Sequence, residues 1–173
     1  MEKKLKSELK FKGKILNVYQ DKVYIEELGK ETIRDVVDFP EAVAILCVKD
    51  GKILIESQYR YPVKSYVYEI PAGKIDLNES PLDAAKRELL EETGYIASEW
   101  RLLGRIYPSP GYSTEIIHIF LAKNLKKLKD SPDEDEKIRI MWVDEKEILN
   151  FLLTKGIIDG KTGAGLLLYK LKG

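Results

Sequence analysis

Residues 73–95 read Gly73-Lys74-Ile75-Asp76-Leu77-Asn78-Glu79-Ser80-Pro81-Leu82-Asp83-Ala84-Ala85-Lys86-Arg87-Glu88-Leu89-Leu90-Glu91-Glu92-Thr93-Gly94-Tyr95, a loop followed by a helix. Ser80 is a good N-cap, Pro81 suits the first helical position, and Asp83 completes a capping-box pattern. Gly94 is a C-terminal stop. Leu82, Ala84, Ala85, Leu89 and Leu90 give the helix a side to pack on a core. Glu88, Glu91 and Glu92 stand at i, i+3 and i+4, within a sector of roughly 100°. Like charges at that spacing weaken a bare helix by a few tenths of a kcal/mol per pair. Arg87, four residues before Glu91, is placed to hold one of them.

Three clustered glutamates have a bland reading, a solvated acidic face. Their sharper reading is a divalent-metal site, because Mg²⁺ prefers carboxylate oxygens and keeps several waters for phosphate work. The whole string favours the second. Gly73, five residues, Glu79, seven residues, Arg87-Glu88-Leu89, one residue, Glu91-Glu92, one residue and Gly94-Tyr95 carry every fixed position of the Nudix box. The stretch therefore resembles the Nudix hydrolases, enzymes that cleave the diphosphate of nucleoside diphosphates linked to another group. The resemblance implies an α/β/α sandwich with a mixed sheet and the box helix against it.

The remainder of the chain fits one such domain with an extension. Its 173 residues carry 29 Lys plus Arg and 29 Asp plus Glu, so the net charge is zero. That balance points to neither a nucleic-acid surface nor an anionic membrane. Cys47 is the only cysteine, so no intrachain disulfide forms and a reducing compartment fits. Met1–Lys6 lacks the apolar run of a signal peptide, and no apolar run nears the ~18 residues of a membrane span. The expectation is a cytoplasmic protein.

Along the chain, Lys14–Tyr19, Lys22–Glu27 and Thr32–Val37 read as strands, with turns at Gln20-Asp21 and Gly29-Lys30. Residues 1–40 lack apolar side chains for their own core. They read as an antiparallel β extension, packed on the main domain or on a second subunit, beside a catalytic domain at 41–173. Ala42–Val48 is continuously apolar, as a strand covered on both faces must be. Asp50-Gly51 predicts a tight turn returning as Lys52–Ser57. Val67–Ile70, Trp100–Tyr107, Ile116–Ala122 and Ile138–Val143 read as further strands, and Lys129–Lys137 as a polar, acidic loop. Asp144 with Glu147 caps a helix to about Leu153, and a last helix spans about Lys161–Leu171.

Beyond the box, Ser109-Pro110-Gly111-Tyr112-Ser113-Thr114-Glu115 is, read bare, a Pro/Gly turn. Its position resembles the signature of the ADP-ribose pyrophosphatases. Gln58–Val63, Tyr68–Lys74 and Lys155–Thr162 are similar to segments of the same subfamily, and together the likeness spans residues 14–170. That resemblance implies a homodimer built through the N-terminal strands, which also reach the partner's substrate pocket. It implies Arg34, Arg60 and Glu115 as substrate-binding residues, with a hold on a metal-bound water as the alternative role of Glu115. An arginine fork suits phosphate better than lysine does. Tyr19, Tyr24, Phe39 and Tyr112 are possible base stackers.

The reaction implied is Mg²⁺-dependent hydrolysis of ADP-ribose to AMP and ribose 5-phosphate. Metal neutralises the diphosphate and makes water more acidic, and a base completes deprotonation. Two or three Mg²⁺, with Mn²⁺ as a substitute, are expected in a site this acidic. Carried over residue by residue, Glu88, Glu91, Glu92 and the Ala72 carbonyl are metal ligands. Arg87 orients the glutamates, Glu79 fixes the loop, and Gly73 allows close backbone approach. The loop Ser131–Ile138 supplies the base. Its best register makes Glu134 the base and Glu136 a further metal ligand, with Asp135 one residue of slip away. His118, the only histidine, reads as a packing or surface residue. The alternatives are a hydrolase of another nucleoside diphosphate sugar, such as GDP-mannose, and a binding module without turnover. Retention of every box carboxylate argues against the module.

Overall fold

The computed structural model describes residues 1–128 and 138–172. Contacts divide the chain into two compact units, Met1–Glu41 with Tyr107–Ile116, and Ala42–Ile106 with Ile117–Gly173.

The first unit is a three-stranded antiparallel sheet in the order β1 (Glu2–Lys12), β2 (Asn17–Ile25), β3 (Lys30–Asp38). Two expectations are corrected here. Strand β1 was unforeseen because Glu2–Lys12 is lysine-rich and exposed at every position. Strand β2 runs straight through Gln20-Asp21, where a turn was expected. Polar partners on the neighbouring strands explain this: Gln20 Nε2 donates to Asp35 Oδ1 at 3.2 Å, and Ser7 Oγ to Asp21 Oδ1 at 2.5 Å. The chain turns next through a 3₁₀ segment, Glu26–Leu28, capped by left-handed Gly29 beside Lys30, where a turn was expected. The Ser109–Glu115 turn is tied to the end of β3. Val37 N–H donates to the Tyr112 carbonyl at 2.7 Å, and Thr114 N–H to the Val37 carbonyl at 3.0 Å.

The second unit is a mixed sheet between helices, as the sequence implies. Its strands are β4 (Ala42–Lys49), β5 (Lys52–Arg60), β6 (Ser65–Glu69), β7 (Ala72–Lys74), β8 (Tyr95–Ile106), β9 (Ile117–Lys127) and β10 (Arg139–Asp144). The spine runs β10-β5-β4-β9-β8, with β6 on β5 and β7 on β4. Among the described strands of this unit only β4 and β9 are parallel; the other pairs are antiparallel. The apolar run in β4 occupies the centre, and its alternate residues feed two cores. Val43, Ile45 and Cys47 meet Ala84, Ala85 and Leu89 of α1 (Pro81–Thr93). Ala42, Ala44 and Leu46 meet Ile148 and Leu152 of α2 (Ile148–Thr154) and Leu166 of α3 (Gly160–Lys172). Burial on both faces is why this strand carries no polar alternation.

The β4–β5 hairpin turns at Asp50 (φ 50°) and Gly51 (φ 70°), the left-handed pair that Asp-Gly favours. Beyond Val48↔Ile53 the two strands part. β6 then pairs with β5 and β7 with β4, and Ile45 N–H donates to the Pro71 carbonyl at 2.8 Å. The segment Ser65–Lys74 thus threads between strands that began as neighbours. This delivers Ala72 and Gly73 to the sheet beside α1. Strands β8 and β9 outrun the expected Trp100–Tyr107 and Ile116–Ala122, because Lys123–Lys127, polar except for buried Leu125, pair with Tyr95–Glu99. The expected acidic loop Lys129–Lys137 lies outside the described residues. No helix among the described residues is long and apolar enough to cross a membrane.

Candidate active site

Helix α1 begins and ends as its sequence dictates. Ser80 Oγ accepts from Asp83 N–H at 3.2 Å, Pro81 starts the helix, and Gly94 (φ 71°) closes it by donating to the Leu90 carbonyl. The buried face carries Ala84, Ala85, Leu89 and, unusually, Glu92, which is 8% exposed. Glu92 is not stranded there: its Oε2 accepts from Ala72 N–H at 2.9 Å. A carboxylate at the core edge is thus fixed against the strand whose Ala72 carbonyl the Nudix resemblance implies as a metal ligand.

Arg87 organises the rest. Its Nε donates to Glu79 Oε1 at 3.0 Å and its Nη2 to Glu79 Oε2 at 2.9 Å, a two-pronged grip. Nη1 reaches Glu88 Oε1 at 2.7 Å and Glu91 Oε2 at 3.0 Å, and Nη2 also donates to the Lys74 carbonyl at 2.9 Å. One guanidinium therefore links the loop, strand β7 and two helix glutamates. Glu79 in turn accepts from Asp76 N–H at 3.1 Å, which closes the loop. The Arg87 contact, helped by that backbone bond, lowers the Glu79 carboxyl below its ordinary 4.5, while its partners hold Arg87 more firmly cationic.

Gly73 has a steric reason. A Cβ placed on it would overlap the carboxyl carbon and both oxygens of Glu88. The glycine leaves a cradle that the Glu88 carboxylate fills, one residue from Ala72. Glu88, Glu91, Glu92 and the Ala72 backbone thus supply hard oxygen donors around one corner of the sheet. That donor chemistry suits Mg²⁺ or Mn²⁺. Among the described residues, no three acidic, Cys or His side chains already converge as a finished coordination sphere. Arg87 Nη1 bonds both Glu88 and Glu91, so a cation would compete with it for their oxygens.

Two buried carboxylates escaped the sequence reading. Glu69, 2% exposed at the end of β6, accepts from Arg60 Nε at 2.7 Å. Arg60 is thereby held at the end of β5. Glu56, also 2% exposed, stands opposite Glu69 in the β5–β6 register. Burial pushes the Cys47 thiol well up, and the charges of Glu56 and Glu92 add to the effect. The available signal was a charged residue inside each of two apolar strands, Ile53–Ser57 and Val67–Ile70. Cys47 is a packed, buried thiol as expected, and His118 is 8% exposed within β9.

The remaining expected residues are placed as follows. Arg34, on β3, is bound to Glu2 of β1 through Nε at 3.1 Å and Nη2 at 2.5 Å. The Glu115 N–H donates to Ser113 Oγ at 3.2 Å. Both belong to the first unit, as do Tyr19, Tyr24, Phe39 and Tyr112. Glu134, Asp135 and Glu136 lie outside the described residues.

Two outcomes follow from this geometry. Gly73→Ala should displace Glu88 and lower turnover by about 100-fold, the effect of a roughly 1 Å misplacement, with the far-ultraviolet circular dichroism spectrum retained. Unchanged kinetics would contradict the cradle. The second concerns pH. A carboxyl lowered in the folded state stabilises the fold above its ordinary 4.5 and loses that contribution as pH falls through its folded value. In urea denaturation, the deficit of Glu79→Gln relative to wild type should be constant near neutrality and shrink in acid. A pH-independent deficit would rule out the Arg87–Glu79 linkage.

Comparison with known proteins gives the family and the fold. The NUDIX domain family matches residues 38–161. The chain is 38% identical over 174 residues to an ADP-ribose pyrophosphatase of Bacillus subtilis, covering 99% of this chain and 94% of that one. It is 37% identical over 164 residues to a methanol dehydrogenase activator of Bacillus methanolicus, covering 93% and 88%. Among solved structures, that of an ADP compounds hydrolase superposes with a TM-score of 0.88 at 22% identity, covering 98% of this chain and 92% of the other, which speaks to the fold. Nudix hydrolases generally use divalent metal ions. A family match over most of the chain, with its box folded into one linked cluster, leads to one conclusion: the protein belongs to the Nudix family of hydrolases.

Proposed function

We propose that this enzyme hydrolyses the diphosphate of ADP-ribose, releasing AMP and ribose 5-phosphate. The observation that carries the reading is the oxygen-donor cluster of Glu88, Glu91 and Glu92 beside Ala72 and Gly73. The choice of substrate is supported by 38% identity over nearly the whole chain to an ADP-ribose pyrophosphatase.

In this reading Glu88, Glu91, Glu92, the Ala72 carbonyl and Glu136 hold two or three Mg²⁺, replaceable by Mn²⁺. When bound there, the metal would supply positive charge against the diphosphate and a more acidic water. Arg87 keeps the glutamates gathered before substrate arrives, so their mutual repulsion is already offset. Arg60 and Arg34 take phosphate oxygens, and Glu115 holds the substrate in place. Water oxygen bonds to one phosphorus, the bridging P–O bond breaks, and the leaving phosphate ester departs with its electron pair. The water's proton passes to Glu134, with Asp135 and Glu136 as the neighbouring choices. Residues 1–40 serve as the extension to a catalytic domain at 41–173. Two copies join as a homodimer through that extension, whose exposed Leu5, Leu9 and Phe11 supply apolar surface. A cytoplasmic setting suits the single reduced thiol.

A panel of nucleoside diphosphate sugars assayed with Mg²⁺ tests the substrate. The expected result is the highest kcat/KM on ADP-ribose, with AMP and ribose 5-phosphate as products. A rate on GDP-mannose tenfold above that on ADP-ribose would transfer the assignment to that alternative. Glu92→Gln should lose at least about 100-fold in turnover while staying folded, since loss of a ligand exceeds loss of an outer partner.

A further inference from the structure

Lys161 stands at the second position of α3 (Gly160–Lys172), where the helix dipole disfavours a cation. Its surroundings explain the placement. Its ammonium is bonded to Glu69 Oε2, and it lies 3.2 Å from Asp159 Oδ1. The other oxygen of the same carboxylate, Glu69 Oε1, receives Arg60 Nε at 2.7 Å. The Glu69 side chain is 3% exposed and that of Lys161 13%, whereas that of Arg60 is 41% exposed. The buried end of this chain of charges is therefore the lysine and the solvent-facing end is the arginine.

The turn that carries Lys161 is itself pinned to the lead into the metal loop. Asp159 Oδ2 accepts from Thr162 N–H at 2.9 Å and from Thr162 Oγ1 at 2.7 Å. Thr162, fully buried, accepts from Ile70 N–H at 3.0 Å. Adjacent residues of α3 thus grip adjacent residues of the strand end, Lys161 on Glu69 and Thr162 on Ile70.

We infer that Lys161 is a positioning residue for the substrate arginine, sharing the Glu69 carboxylate and so setting how the Arg60 guanidinium is aimed. A buried carboxylate demands a counter-charge. With Lys161 present, Glu69 has one from inside the protein. Without it, Arg60 would be the only cation bonded to Glu69 among the contacts described, and the buried carboxylate would draw the guanidinium donors toward itself and away from an anionic substrate. The inference rests on Arg60 contacting substrate phosphate.

Steady-state kinetics on ADP-ribose with Arg60→Ala, Lys161→Met and the double variant test it. Lys161→Met should raise KM about tenfold, the scale of one charge-assisted hydrogen bond, with kcat and the Mg²⁺ activation constant within about twofold. Lys161→Arg should restore KM. In the Arg60→Ala background the lysine change should add nothing, because its effect runs through the arginine. An unchanged KM in Arg60→Ala would overturn the substrate role of Arg60 itself. A raised KM in Arg60→Ala alongside an unchanged KM in Lys161→Met, or additive effects in the double variant, would overturn the coupling alone. Should Lys161→Met not fold, Lys161→Gln gives the same contrast.

Discussion

The site depends on one guanidinium. Arg87 holds Glu79, Glu88, Glu91 and the Lys74 carbonyl at once. Without it, the helix carboxylates at i, i+3 and i+4 would repel one another, and the loop from Ile75 to Ser80 would lose the contact that joins it to α1. A lysine could not replace it, because a compact ammonium lacks the planar fork that serves two sides together. The sequence supplies the cation that offsets Glu88 and Glu91 one position before the first glutamate, while Glu92 is held by the Ala72 N–H.

Position in the sheet is the second requirement. The parting of β4 from β5 after Val48↔Ile53 admits Ser65–Lys74, and this sets Ala72 and Gly73 against α1. Glu92 then bonds Ala72 N–H, and Glu88 fills the space beside Gly73. Backbone and helix approach so closely that a single methyl group would not fit. Glu69 and Ile70, just upstream, are fixed in turn by Lys161 and Thr162 of α3. The helices on opposite faces of the sheet thus control neighbouring parts of one segment.

Features written in local sequence were legible. The caps of α1, the Asp50-Gly51 hairpin and the doubly buried Ala42–Val48 strand follow from patterns within a few residues. So does the proximity of Arg87 to Glu91. Features that depend on distant partners were not. The lysine-rich β1 has no burial pattern, and its pairing with β2 is what makes it a strand. Gln20-Asp21 resembles a turn until Ser7 and Asp35 satisfy both side chains. Glu69 meets Lys161 across 92 residues, a link no spacing could announce. The hub role of Arg87 was only half legible, since its bonds to Glu79 and the Lys74 carbonyl need the loop folded back.

The central claim is that the carboxylates gathered by Arg87 beside Ala72 and Gly73 form a divalent-cation site. Titration of the substrate-free protein with Mn²⁺, read by the electron paramagnetic resonance signal of the free ion, tests it most directly. The account predicts saturable binding in wild type, weakened at least about tenfold when Glu88 and Glu92 are both changed to Gln in a folded protein. Equal Mn²⁺ binding by the two proteins would contradict it.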